Sequence, residues 1–185
     1  MAILASALAL SACAAPERET FDLARSDAGG RALARPLRTT LAVAEPEAVQ
    51  PIASDRIVIR TGPNEVANLG GAQWVDRLPR LVQSRLIEGF DVGRSTGSVV
   101  RPGETADRVL ATEIRRFEID VTSGEAVVEI AAKVLDPRRA KIGAGRVFAA
   151  RTPAPHTTGA AATRALEDAL ATTLRDIVRW TATQV

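Results

Sequence analysis

The chain has 185 residues, 46% of them hydrophobic and 25% charged, with a formal net charge of +2. That length and composition fit one ordinary globular domain, with or without a tail, large enough to bury a core. The small net charge, scattered arginines accompanied by acids and an aromatic content of 3% speak against a nucleic-acid surface, which clusters Lys and Arg and interleaves stacking rings.

The amino terminus reads "MAILASALALSAC", apolar or small without interruption from Ala2 to Ala12. This run is too short to span a bilayer as a helix, which takes about 20 apolar residues, but it suits the apolar region of a secretory signal. Leu10-Ser11-Ala12-Cys13 matches the bacterial lipobox: an aliphatic residue, two small residues, then the cysteine whose thiol is acylated before cleavage on its amino-terminal side. Residues 1–12 are therefore expected to be a signal peptide and Cys13 the lipidated first residue. No Lys or Arg precedes the apolar run, and a start codon assigned too far downstream would account for that. The alternative is an incidental cysteine in a short apolar helix. Cys13 is the sole cysteine, so no intrachain disulfide can form. Ala14 in place of an aspartate leans towards the outer membrane.

Residues 13–36 are polar and broken by Gly29-Gly30 and two prolines, as befits a tether. Phe21 and Leu23 could instead add a short strand or dock on the domain, which is placed at 37–185. A flexible tether of about twenty residues would reach about 25 Å.

In the domain, "LRTTLAVAEP" alternates through Leu37, Leu41 and Val43 and stops at Pro46, as a strand does; "DRIVIRTGP" is a second, ended by Gly62-Pro63. In "GGAQWVDRLPRLVQSRLIEGF" the period changes, with Trp74, Leu78, Leu81, Val82 and Leu86 on one helical face. Asp76, Arg77, Arg80 and Gln83 fill the polar face. Pro79 predicts a kink or a late start, and Gly89 suits the residue that closes the helix.

"DRVLATEIRRFEIDV" switches parity between Leu110/Ile114 and Phe117/Ile119/Val121, which predicts a bulge near Arg115-Arg116. "EAVVEIAAKVLDP" points Val128, Ile130, Ala132 and Val134 inward and Glu129 and Lys133 outward, between turns at Ser123-Gly124 and Asp136-Pro137. "KIGAGRVFAAR" is a third strand. The closing helix carries a stripe of Leu166, Leu170, Leu174, Ile177 and Val178. The resulting class is α/β (α+β), one mixed, largely antiparallel sheet flanked by two main helices.

The lipobox, "DRIVIR", "AQWVDRLPRLVQSRL", "LATEIRRFEIDV", "VEIAAKVLDPRRAKIGAGRVF" and "ALEDALATTLRDIVRW", in this order and spacing, resemble the ABC-type transport auxiliary lipoproteins, which include the paraquat-inducible protein C group. The resemblance covers about residues 37–182. It implies a fold similar to the amino-terminal domain of the TolB translocation protein. It also implies work beside an ABC permease and ATPase whose substrate-binding subunit is of the MCE type and moves lipid.

Material for catalysis is scarce. His156, the sole histidine, lies in the proline-rich "RTPAPHTTG", and no Gly-x-Ser-x-Gly elbow or phosphate loop is present. One histidine and one cysteine cannot make a zinc site, and no acidic loop has calcium spacing. No catalytic, cofactor or metal residue is therefore expected, and the lone modification site is Cys13. Trp74 follows the core stripe, Trp180 lies off it, and Arg138-Arg139 at a turn could meet a partner or anionic lipid. Two roles follow from the resemblance: an outer-membrane adaptor on the periplasmic face that docks the transporter, or a carrier holding an acyl chain between sheet and helices. A homo-oligomer is compatible with either.

Overall fold

A computed structural model describes residues 17–23, 37, 39–90, 99–139 and 141–185. Cys13, the signal peptide and most of the expected tether lie outside them. Among the described residues the strands are β1 (Glu19–Phe21), β2 (Leu41–Val43), β3 (Glu47–Ala48), β4 (Arg56–Gly62), β5 (Glu65–Trp74), β6 (Val99–Val100), β7 (Arg108–Asp120), β8 (Glu125–Asp136) and β9 (Lys141–Pro153). Two helices, α1 (Leu78–Phe90) and α2 (Gly159–Ala182), accompany them among the described residues.

One mixed sheet holds all these strands. The antiparallel meander β7–β8–β9 forms one half of it, with β9 at the edge, and the inward positions of β8 are β-branched or small. The alternation in β8 is as the sequence reads it: Val128, Ile130, Ala132 and Val134 are buried while Lys133 is exposed. The register of β7 against β8 slips between Ile114 and Arg116, which is the bulge that brings Leu110, Ile114, Phe117 and Ile119 to one core. Asp120 and Asp136 close the two hairpins, each accepting bonds from backbone N–H groups two or three residues on. Along the other side of β7, the short strands β2, β3 and β4 pair with it in parallel, one after another.

Both helices lie on the same face of the sheet and pack against each other. The stripe of α2 is buried as expected, from Leu166 to Val178. The first helix differs from its sequence reading in three ways. Gly70–Trp74 belong to β5, and α1 begins only at Leu78. Trp74 still reaches the core because strand β5 delivers it there, 1% exposed, with its ring edge-on to Phe117 at 5.9 Å. Pro79 sits in the first turn, where its missing N–H has no helical acceptor to lose, so the start is late and no interior bond is broken.

Gly89 lies inside α1 and does not close it. A Cβ there would meet Val178 Cγ2 at 3.1 Å, so the glycine serves the approach of the two helices. Gln83, expected on the polar face, is 4% exposed; its amide donates to the Val43 carbonyl at 2.9 Å and accepts from Arg101. Burial is tolerated because both ends of the amide are satisfied.

The expected tether also changes. Glu19–Phe21 pairs in parallel with Ala72–Trp74, and Leu23 is 1% exposed in the core. The apolar pair Phe21 and Leu23 anchors this stretch, so residues 19–23 belong to the fold. The link from Cys13 to β1 is left with residues 14–18, which span about 20 Å at full extension.

Candidate functional site

Two ends of the domain are chemically distinct. The first lies where β1 meets the start of α2: Phe21 packs beside Gly159 and Ala72, and the Val75 N–H donates to the Phe21 carbonyl at 2.8 Å. The chain that leads back to Cys13 leaves from this end. His156 is exposed in the loop just before α2. Among the described residues, no group of three or more His, Cys, Asp or Glu side chains could hold a metal ion.

On the sheet face away from the helices, Glu118 is held by two guanidiniums. Its Oε1 accepts from Arg60 Nε at 2.9 Å and Arg116 Nε at 2.7 Å, and its Oε2 accepts from Arg60 Nη2 at 3.0 Å. The carboxylate is 2% exposed, the one buried charged residue among the described residues, and is compensated by direct bonds. Arg60 is held above the ordinary guanidinium value, chiefly by that hydrogen bond; the charges of Glu118 and Asp120 add to it and desolvation opposes it. Arg116 lies two residues from Glu118 on β7, but Arg60, 58 residues from Glu118, is brought in by the β4–β7 pairing.

The space between sheet and helices is filled. Trp74, Phe90, Phe117, Leu86, Leu110 and Leu166 are each at most 1% exposed there. Trp180, left open by the sequence, is partly buried at the edge of this core, 5.5 Å from the Phe148 ring, over which Arg146 lies at 5.2 Å. Among the described residues, two cavities that open to solvent stand out. A groove of about 820 Å³ runs between the β3 segment, the start of α1 and β7, lined among others by Ala48, Val49, Pro79 and Ile114. A smaller one, about 280 Å³, lies at the far end from β1, between the β8–β9 turn and the residues after α2. Arg138 and Arg139, the turn pair singled out in the sequence, are 73% and 81% exposed here; Arg138 pairs with Asp107 at 3.1 Å. Among the described residues no helix is long and apolar enough to cross a membrane.

Comparison with known proteins agrees with this architecture. The family of ABC-type transport auxiliary lipoprotein components matches residues 21–178, starting within β1. An uncharacterised protein of Bradyrhizobium diazoefficiens is 32% identical over 185 residues, taking in 97% of this chain and 49% of that protein. The chain thus spans about half the length of this curated relative. The crystal structure of a Xanthomonas campestris protein superposes with a TM-score of 0.75 at 31% identity, covering 82% of this chain and 88% of that one. A second crystal structure, of an uncharacterised protein, shares the fold at a TM-score of 0.69 and 12% identity, over 90% of this chain and 99% of that one. With a family match across nearly the whole described domain and the same sheet-and-helix arrangement in a solved relative, the chain belongs to the ABC-type transport auxiliary lipoprotein family.

Proposed function

We propose that this chain is a lipid-anchored, non-enzymatic adaptor on the periplasmic face of the outer membrane. In this reading it docks the MCE-type substrate-binding subunit of an ABC lipid transporter, with the permease and ATPase in the opposite membrane. Cys13 carries the acyl anchor, and residues 1–12 are the signal removed in processing.

The observation that carries the adaptor over the carrier is the filled interior. An acyl chain held between sheet and helices would need the volume that Trp74, Phe90 and Phe117 occupy. The family membership supports the transport setting, and the short link to β1 keeps the domain within about 20 Å of an anchor on Cys13. That reach is less than a twenty-residue tether would allow, so the partner must come to the domain. The length of α2, 24 residues or about 36 Å, supplies the stand-off instead.

Crosslinking in intact cells tests the docking. A captured MCE-type subunit supports the adaptor. Capture of no transporter subunit, together with stoichiometric lipid on the gently purified protein, would put the carrier in its place.

A further inference from the structure

The smaller cavity has a composition that the adaptor role does not use. Its walls are Arg108, Arg139 and Lys141, its carboxylate is Asp136, its floor is Val134, Gly143 and Ala144, and Gln184 stands at the rim. Three cations therefore face one anion, leaving a local charge of +2. Asp136 pairs with two of them, at long range. Its Oδ2 lies 3.6 Å from Arg108 Nη1 and 3.8 Å from Arg139 Nε, ion pairs longer than a hydrogen bond; Arg108 Nη1 also donates to the Asp107 carbonyl at 2.8 Å, and Asp136 Oδ1 is occupied by the Arg138 backbone N–H at 3.1 Å. Lys141 makes no ion pair among the described residues.

We propose that this cavity binds a phosphate group, best a monoester. The unmatched charge of +2 meets the about −1.5 to −2 that a phosphate monoester carries near neutral pH. Guanidinium forks present paired donors to phosphate oxygens, and an ammonium adds a movable point charge. Gly143 and Ala144 keep the floor low, so about 280 Å³ stays open, room for a headgroup and too little for acyl chains. Two of the carbonyls at the end of α2, where free carbonyls would repel an anion, are already engaged. Trp180 O accepts from the Thr183 N–H and hydroxyl, and Thr181 O accepts from the Gln184 N–H.

The position adds meaning. The cavity lies at one end of α2 and Phe21 at the other, about 36 Å apart along the helix, so the site faces away from the end that leads to Cys13. The assignment stands on the cavity alone and holds whether or not the domain docks a transporter.

The test uses the processed chain with Cys13→Ser, so that no acyl group enters vesicles. Inorganic phosphate is titrated while the backbone amides of Gly143, Ala144 and Gln184 are followed by NMR. Vesicles of phosphatidylcholine with and without phosphatidic acid form the second arm. Saturable shifts confined to these amides are expected, about tenfold weaker in Lys141→Gln and in Arg108→Gln, the effect of losing one charge-assisted bond, and unchanged in Arg115→Gln outside the cavity. Melting curves confirm that the variants fold. Capture on phosphatidic-acid vesicles alone identifies a lipid headgroup as the source; phosphate shifts without capture identify a free phosphate, and either supports the site. Shifts spread over the surface, indifference to both substitutions, or binding of a glutamate-rich peptide without phosphate binding would overturn it.

Discussion

Phe21 Cε2 lies 3.0 Å from the point where a Cβ on Gly159 would sit, with Ala72 Cβ at 3.1 Å. The first strand and the first residue of the last helix thus touch where a glycine leaves room, although 138 residues of chain separate them. Gly159→Leu should push β1 from its seat, at about 1–3 kcal/mol for the overpacking. Hydrogen exchange reads this directly, because the Val75 N–H is bonded to the Phe21 carbonyl. Faster exchange at Val75 is expected, and unchanged protection there would mean that β1 is not held by this contact.

Leu23 sits two residues beyond β1 and is 1% exposed. Leu23→Ala should therefore cost about 2–5 kcal/mol in denaturant unfolding, as should Leu78→Ala and Leu170→Ala on the helical stripes. Arg80→Ala, on the exposed face of α1, should stay within about 0.5 kcal/mol. A Leu23 variant as stable as the parent would return the segment to the status of a loose tether.

Glu118→Ala removes the acceptor shared by Arg60 and Arg116, which stay partly exposed to water, and should destabilise by about 1–3 kcal/mol. Arg60 has a folded-state value raised above its unfolded one, so its contribution is present in full below the unfolded value and is lost only as pH rises through the folded one. The unfolding free energy lost in Arg60→Gln should accordingly be the same at about pH 7 and about pH 10. A difference that shrinks over this interval would show that the pair is not held as described.

Cys13 is expected to carry lipid once the chain is expressed behind a complete signal. Labelled palmitate should enter the wild-type protein, and Cys13→Ser should abolish the label. Retained label in that variant would end the assignment.

Local pattern determined much of this molecule. The period-2 runs of β7 and β8, the Asp-led turns and the 3.6-residue stripe of α2 are written in neighbouring residues, so the meander, its bulge and the closing helix were legible in the sequence. Where two periodicities overlapped, local reading failed. Trp74 fits a helical stripe four residues ahead of Leu78, yet β5 claims it through pairing with β1 and β4. Gln83 and Gly89 look like a surface residue and a helix end until Val43, Arg101 and Val178 are placed beside them. The Arg60–Glu118 bond and the cationic cavity likewise join residues distant in sequence, from Arg108 to Gln184. Hydrophobic periodicity reports which side of its own element a residue faces. It carries nothing about which other element comes to lie there, and that was decided only by sheet order and helix packing.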